Sequence, residues 1–220
     1  MIRLIIALLL SSTLLAADGV VLFVKGEATA IHKNKETVLK KGSEVKSATT
    51  LTTKENSLVV IKFEDGTTIK LNSNSVISIE SLLDNLSPTT ISLKKGSSFF
   101  NLVKRKIIDH PTKLKVTTRT ASLAVRGTTF FVAVNEIDGN TDTWMCVREG
   151  VVDSTSLSTR QTKTVNAGEG LKISSNAALT APRFLPWTKG LNWKFEGEEG
   201  LENKLDIKDA YEDILTNDYE

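Results

Sequence analysis

Short runs of β-branched and apolar residues, separated by polar turns, recur along most of the chain. The run from Leu58 to Phe63 alternates between two faces, and Asp65-Gly66-Thr67 follows it almost at once. An Asp-Gly pair between two such runs is a strong β-hairpin signal. The stretch from Leu114 to Val134 holds two further runs joined at Arg126-Gly127, where a glycine indicates a bulge or a corner. The pattern shows no long helical period. It predicts an all-β domain over residues 18–180, a single β-solenoid or roll of many short strands, with a sandwich as the alternative.

The pattern changes beyond Pro182. Residues 181–195 hold prolines, leucines and aromatic residues, and we expect this segment to pack against the domain. Residues 196–220 carry ten acids against two lysines, a net charge of −8, with a modest helical stripe. Short helices depend on docking for stability. This acidic tail is therefore expected to be either a docked short helix or a partly disordered segment.

Residues 1–17 have the composition of a secretory signal peptide. Arg3 precedes an apolar run from Leu4 to Leu10, and small residues follow at Ala16-Ala17. The run is too short for a comfortable membrane span. We expect cleavage after Ala17 and a periplasmic or secreted protein of a Gram-negative-type envelope, without a transmembrane segment once the signal is removed. An uncleaved anchor is the alternative, because Leu15 is not ideal before the cleavage site.

The body of the chain is basic. Residues 18–195 contain twenty-five Lys and Arg against sixteen acids, about +9, although the net charge of the whole chain is only +2. A basic body with an acidic tail is typical of a protein that has an anionic partner or docks its own tail, and two independently solvated regions explain it equally. The densest basic region is a possible face for an anionic envelope polymer or lipid head group, with a solvated face as the alternative and no nucleic acid expected. It comprises Lys94, Lys95, Lys104, Arg105, Lys106, Lys113 and Lys115.

The sequence contains no recognisable catalytic, metal or cofactor motif. His32 and His110 lie in polar or basic turns, without a nucleophile or a metal-ligand spacing beside them. Cys146, the one cysteine, lies between apolar neighbours and is expected to be a buried small hydrophobe instead of a reactive thiol. The segment from Asp138 to Asp142 resembles a calcium loop only superficially and is expected to be a hairpin turn. These observations favour a protein that is not an enzyme and has no cofactor or metal.

Arg126 and Glu149 each directly precede a glycine at a predicted strand end. Arg126 falls where the pattern predicts the core, and an unpaired buried charge is very costly. Charges before neighbouring turns can meet across those turns. We predict a partly buried Arg126–Glu149 pair that fixes strand register, with a cost of about 3–5 kcal/mol for removing one partner.

Taken together, these turns resemble the FecR domain family. The residues that carry the resemblance lie within Val20 to Ile173 and include Gly42, Asp65-Gly66-Thr67, Gly96, Arg126-Gly127-Thr128 and Glu149-Gly150. The family's members are periplasmic all-β modules, best known in transmembrane regulators that receive a signal from an outer-membrane transporter and control a sigma factor. This chain has a signal-like segment in place of their sigma-binding domain and membrane helix, and it stops before their small C-terminal domain. The resemblance therefore implies the exported module alone.

These features favour a non-enzymatic periplasmic module that binds or scaffolds an envelope partner through exposed strand edges or the basic face. The partner is expected to be a protein or an anionic polymer. One alternative is an accessory in envelope or transporter-linked signal transduction, which the family resemblance implies. Another is an enzyme acting on envelope polysaccharide, which would require a carboxylate pair.

Overall fold

A computed structural model of the chain describes residues 19–82, 88–102, 113–137, 139–196 and 200–201. Within these residues the protein is almost entirely β-structure, which confirms the predicted fold class. None of the helical segments in this part of the chain is long and apolar enough to cross a bilayer. The predicted signal peptide and nearly all of the acidic tail lie outside the described residues.

The described elements are β1 (Gly19–Lys25), β2 (Ala28–His32), β3 (Lys35–Val38), β4 (Glu44–Val45), β5 (Thr49–Thr53), β6 (Leu58–Phe63), β7 (Thr68–Leu71), β8 (Val76–Ser81), β9 (Thr89–Asn101), β10 (Lys113–Thr117), β11 (Ala121–Arg126), β12 (Thr129–Ile137), β13 (Asn140–Glu149), β14 (Val151–Ser156), β15 (Thr162–Asn166), β16 (Glu169–Ser174), β17 (Arg183–Phe184) and a 3₁₀ helix (Pro186–Gly190).

The strands form two sheets that share the long strand β9. Sheet A has the order β4-β1-β6-β7-β9-β12-β13-β16-β17. Sheet B has the order β3-β2-β5-β8-β9-β10-β11-β14-β15. Among the described pairings, only β9 with β10 is parallel. The solenoid detail of the prediction is not confirmed, because tight hairpins join antiparallel neighbours in both layers.

Strand β9 passes from sheet B to sheet A at Gly96. Its first half pairs with β8 and β10, and its second half pairs with β7 and β12. At the corner, the Ser75 hydroxyl accepts the Ser97 N–H at 2.9 Å. Gly96 has φ +76°, and a Cβ there would lie 2.1 Å from Ser75 Oγ and 2.7 Å from Ser75 Cα. Glycine is required here by both the backbone conformation and the close approach.

The main core lies between the inner faces of the two sheets. Strand β6 directs Val59 and Ile61 into this core and turns Val60 to the opposite face, as the two-residue period of a strand requires. One cluster joins such side chains from both layers, for example Ile69 of sheet A and Leu123 of sheet B. Each fully buried aliphatic or aromatic side chain contributes about 1.5–3 kcal/mol, so this layer holds the two sheets together.

The outer face of sheet A is covered by the C-terminal part of the described chain. We call residues 183–196 together with 200–201 the strap. Leu185 and Leu191 are buried against Phe131 and Trp144, with Trp193 and Phe195 partly buried in the same cluster. At the other end, Leu201 is buried against Leu58 and Val60. The aromatic segment thus packs on the domain and adds a third layer over one sheet.

Candidate binding surfaces

The predicted hairpin turn joins β6 to β7. The Asp65 carboxylate accepts the Thr67 N–H at 2.7 Å and the Thr67 hydroxyl at 3.0 Å. Gly66 has φ +86°, a conformation that glycine adopts without steric cost. The Phe63 N–H donates to the Thr67 carbonyl at 2.8 Å and so closes the turn. These bonds engage the Asp65 carboxylate and the Thr67 hydroxyl within the turn, so the motif serves to position the two strands.

The two glycine turns after β11 and β13 lie side by side, and Thr128 joins them. Its buried hydroxyl lies 3.0 Å from the Arg126 carbonyl and 2.9 Å from the Val151 carbonyl, and it accepts the Val151 N–H at 3.3 Å. Gly150 has φ +87°, and a Cβ there would lie 2.7 Å from Thr128 Oγ1. The close approach of the two turns therefore depends on a threonine and a glycine.

The predicted Arg126–Glu149 pair is wrong. Both side chains are exposed, and within the described residues no ion pair joins them. Arg126 ends a strand of sheet B on which Val125 faces the core, so the alternation of the strand turns Arg126 outward. Glu149 belongs to sheet A and follows a register shift between Thr129 and Phe130 in the β12–β13 pair. The turns are adjacent as expected, but they hold each other through Thr128, the motif residue to which no contact was assigned.

The predicted basic face is only partly described. Lys94, Lys95 and Lys115 are exposed, while residues 104–106 lie outside the described residues and Lys113 is placed only as the first residue of β10. Lys115 pairs with Thr90 of β9, four residues before Lys94. Four residues along a strand span about 13 Å, so Lys94 and Lys115 share the outer face of sheet B without forming a compact cluster.

The residues considered for chemistry have structural surroundings. His32 Nδ1 lies 3.1 Å from the Thr49 hydroxyl across the β2–β5 pair, and His110 lies outside the described residues. Cys146 is buried, as predicted, and burial raises the pKa of its thiol. The described residues contain no group of three potential metal ligands. Gly139 and Asn140 lie at the turn of the β12–β13 hairpin, as expected for that loop.

The outer face of sheet A carries a row of register partners that crosses six strands. The row consists of Phe23, Val60, Lys70, Phe99, Phe131 and Cys146. Five of these six residues are apolar, and the strap lies across them. Lys70 is the exception, and it is fully buried with a relative exposure of 0%.

The ammonium group of Lys70 is held by the main chain of the strap. It donates to the carbonyls of Asn192, Lys194 and Leu201, at 2.9 Å for Lys194 and 3.3 Å for Leu201. It also lies 4.2 Å from the centroid of the Phe99 ring, a cation–π contact. Sequence analysis missed this residue because the alternation of apolar and polar residues in its strand predicts that the Lys70 side chain faces solvent. A signal for its burial was present in the sequence, because the residues at the outward positions of the neighbouring strands, Val60 and Phe99, are apolar.

The sheet edges differ in what they expose. Sheet A ends in the two-residue strands β4 and β17, and the β15 edge of sheet B carries exposed polar side chains and Lys163. Short or charged edges resist further strand pairing. The β3 edge carries the charged residues Lys35 and Glu36 but also presents large apolar side chains, because Val38 is 63% exposed and Ile31 on the adjacent strand is 43% exposed. Within the described residues β3 pairs with β2 alone, so this edge is open.

Comparisons with known proteins agree with this fold. A family model described as FecR protein matches residues 49–153. Two crystal structures of a candidate anti-sigma factor from Parabacteroides distasonis are similar, with TM-scores of 0.51 and 0.52 at 19% and 18% identity. Each match covers 64% of this chain and 62% or 63% of the other, so this chain spans under two thirds of that protein's length. At such identity the likeness shows the fold alone. No curated protein sequence matches the chain.

Proposed function

Through residues 49–153 the chain belongs to the FecR family, and from this premise we propose that it is a non-enzymatic, exported module that binds a protein of the cell envelope. The partner adds an extended segment to the open edge of β3. The composition of residues 1–17 supports export, and the absence of a catalytic motif from the sequence supports a binding role.

The observation that carries the proposal is the geometry of β3. The hairpin turn at Lys33-Asn34 has positive φ at both residues, and the Leu39 N–H donates to the Ala28 carbonyl at 2.9 Å. Hydrogen-bonded and non-bonded pairs alternate in an antiparallel ladder. Because Ala28 and Leu39 form a hydrogen-bonded pair, the next pair, Thr29 and Val38, is non-hydrogen-bonded. The N–H and C=O groups of Val38 therefore point away from β2. An added strand would take up these groups, and its side chains would cover Val38 and Ile31.

The test is a proline at the outward position. Val38→Pro removes an N–H that faces away from β2, so the β2–β3 ladder retains its bonds while strand addition is blocked. Val38→Thr keeps the N–H and the β-branched shape and serves as the matched control. Lys163→Ala at the opposite edge of sheet B is a second control.

The measurement is cross-linking in intact cells followed by mass spectrometry, with quantification of one partner across all variants. The expected result is loss of that partner with Val38→Pro and its retention with Lys163→Ala and, in larger part, with Val38→Thr. Equal recovery with Val38→Pro, in a protein whose thermal unfolding is unchanged, would refute strand addition. If recovery of the partner instead falls when salt is added and when Lys94 and Lys115 are replaced, the basic face is the binding site.

A second candidate function is an accessory role in envelope or transporter-linked signal transduction. It is favoured by the family membership and by the fold shared with the candidate anti-sigma factor. Transcript profiles of a deletion strain, complemented by the wild type or by Val38→Pro, test it. A set of transcripts that the wild type restores and Val38→Pro does not is expected. Unchanged transcription in the deletion strain would exclude this role.

A further inference from the structure

A buried cation in an otherwise apolar row needs a physical reason. Replacing a buried charged group together with its polar partners by well-packed apolar groups is often neutral or stabilising. A permanent cover over sheet A could therefore be built from apolar contacts alone, without a lysine at position 70 and without strap carbonyls that converge on it. A lysine suits a face that is uncovered for part of the time, because its ammonium group then reaches water between Val60 and Phe99.

The strap contacts this face in the manner of a bound peptide. Trp193 and Phe195, separated by one residue, both pack edge-on against Phe99, with ring centroids 5.2 and 6.5 Å from it. The groups that Lys70 binds are main-chain carbonyls, which every residue type supplies. The contact thus recognises main-chain carbonyls at Lys70 and an aromatic pair at Phe99.

In the described part of the chain, the strap is joined to the edge of sheet A only by a short strand pairing. Its first two residues form β17, which makes only two register pairs with β16, at Glu169 and Gly170. The connection from β16 runs through residues 175–182, most of which are exposed. Opening of the strap would break this short pairing and its contacts with the outer face of sheet A, while the ladders of both sheets remain intact, which favours opening below the free energy of global unfolding.

We propose that the outer face of sheet A is a peptide-binding groove, which the strap occupies in cis. Its ligand in trans is an extended segment of a partner protein that carries two aromatic side chains separated by one residue. Lys70 holds the main chain of that segment and Phe99 receives its aromatic pair. The tethered strap competes with the partner at an effective concentration in the millimolar range. This groove lies on the opposite sheet from the β3 edge, and the inference stands independently of the proposed function.

The first experiment is complementation in trans with the full chain. The double variant Trp193→Ala/Phe195→Ala weakens the cis occupant and leaves Lys70 and Phe99 intact. A fluorescein-labelled peptide with the sequence of residues 183–201 is titrated with this variant and with the wild type, and anisotropy is recorded. We expect at least tenfold tighter binding to the double variant, because its groove is vacated. Equal binding to both proteins, or none to a folded double variant, would overturn the proposal.

Two matched changes in the peptide identify which of its groups the groove recognises. A peptide in which both aromatic residues are alanine should lose binding at least tenfold, whereas a peptide with Lys194→Ala should bind as before, since it keeps the carbonyl. Adding Lys70→Met to the double variant should weaken binding of the native peptide at least tenfold. If Lys70→Met leaves the affinity for the native peptide unchanged, Lys70 takes no part in peptide recognition. Val38→Pro should leave peptide binding unaffected, which separates this result from the fate of the proposed function.

A second measurement needs no variant. Native-state hydrogen exchange of the wild type should show the amides of residues 191–196 opening at least a hundredfold more often than those of β9 and β12. Exchange of the strap amides only at the rate of the core amides would mean that the strap is a permanent layer of the fold, and the proposal would fail.

Discussion

Thr128→Val is the most direct test of how the two glycine turns are held together. Valine matches threonine in shape and in preference for strands, so the substitution removes little besides the hydroxyl. That hydroxyl has two carbonyls within reach, from Arg126 and Val151, and it accepts the Val151 N–H. Since a hydroxyl has a single hydrogen, it makes one donated and one accepted bond at a time.

The expected loss of stability follows from those two bonds. A typical intramolecular hydrogen bond contributes about 0.5–1.5 kcal/mol net. Val151 is partly accessible to water, so its freed N–H recovers some of the loss. We therefore expect Thr128→Val to lower the free energy of unfolding by about 1–2 kcal/mol. With a urea m-value of about 2–3 kcal/mol/M, the midpoint of unfolding should fall by roughly 0.3–1 M.

The control is the pair of exposed charges at the same turns. Arg126→Ala and Glu149→Ala should each change the free energy of unfolding by less than about 0.5 kcal/mol, as substitutions of exposed side chains usually do. Their double variant should show no coupling. Urea unfolding followed by circular dichroism measures the free energy of unfolding of the wild type and of all four variants. A Thr128→Val variant as stable as the wild type, or a larger loss from Arg126→Ala, would contradict this account of the turns.

Two further predictions concern close packing and the buried thiol. Gly96→Ala should lower the free energy of unfolding, measured with urea, by more than about 2 kcal/mol, because the new Cβ meets Ser75. At Gly42 nothing lies within 4 Å of an added Cβ, so Gly42→Ala should show only the milder strain of its positive φ. An equal loss at both sites would exclude the steric argument. Because burial raises the pKa of Cys146, the folded state holds this proton more tightly than the unfolded state, and stability should fall as pH rises above 9.0, the ordinary thiol value. The slope should reach up to about 1.4 kcal/mol per pH unit and be flatter in Cys146→Ala, and identical pH profiles would show that the thiol does not contribute.

Local signals in the sequence accounted for the parts of the fold that depend on near neighbours. The Asp65-Gly66-Thr67 hairpin closes through bonds between residues two to four apart, and every residue involved lies between Phe63 and Thr67. The burial of Cys146 was expected from its apolar neighbours in the chain, although in the fold it depends on the strap, which packs Leu185 and Leu191 over the outer face of sheet A. The adjacency of the two glycine turns was also predictable, since a short hairpin separates them in the chain.

The charges at those turns show where local reasoning fails. Arg126 and Glu149 precede similar turns, but they lie in different sheets, and the register shift near Thr129 falls just beside Glu149. The direction of a strand-end side chain depends on which layer holds the strand. Neither the layer nor the shift is visible in the residue types.

The amino-acid order by itself determined the all-β class, the glycine corners and the hairpin turns, because each depends on backbone preferences over a few residues. Only the tertiary structure decided that β9 joins two sheets at Gly96 and that Lys70 is buried. The lysine meets carbonyls 122 to 131 residues away in the chain. No local preference fixes a contact at that separation, since it exists only after both sheets have formed and the strap has packed across one of them.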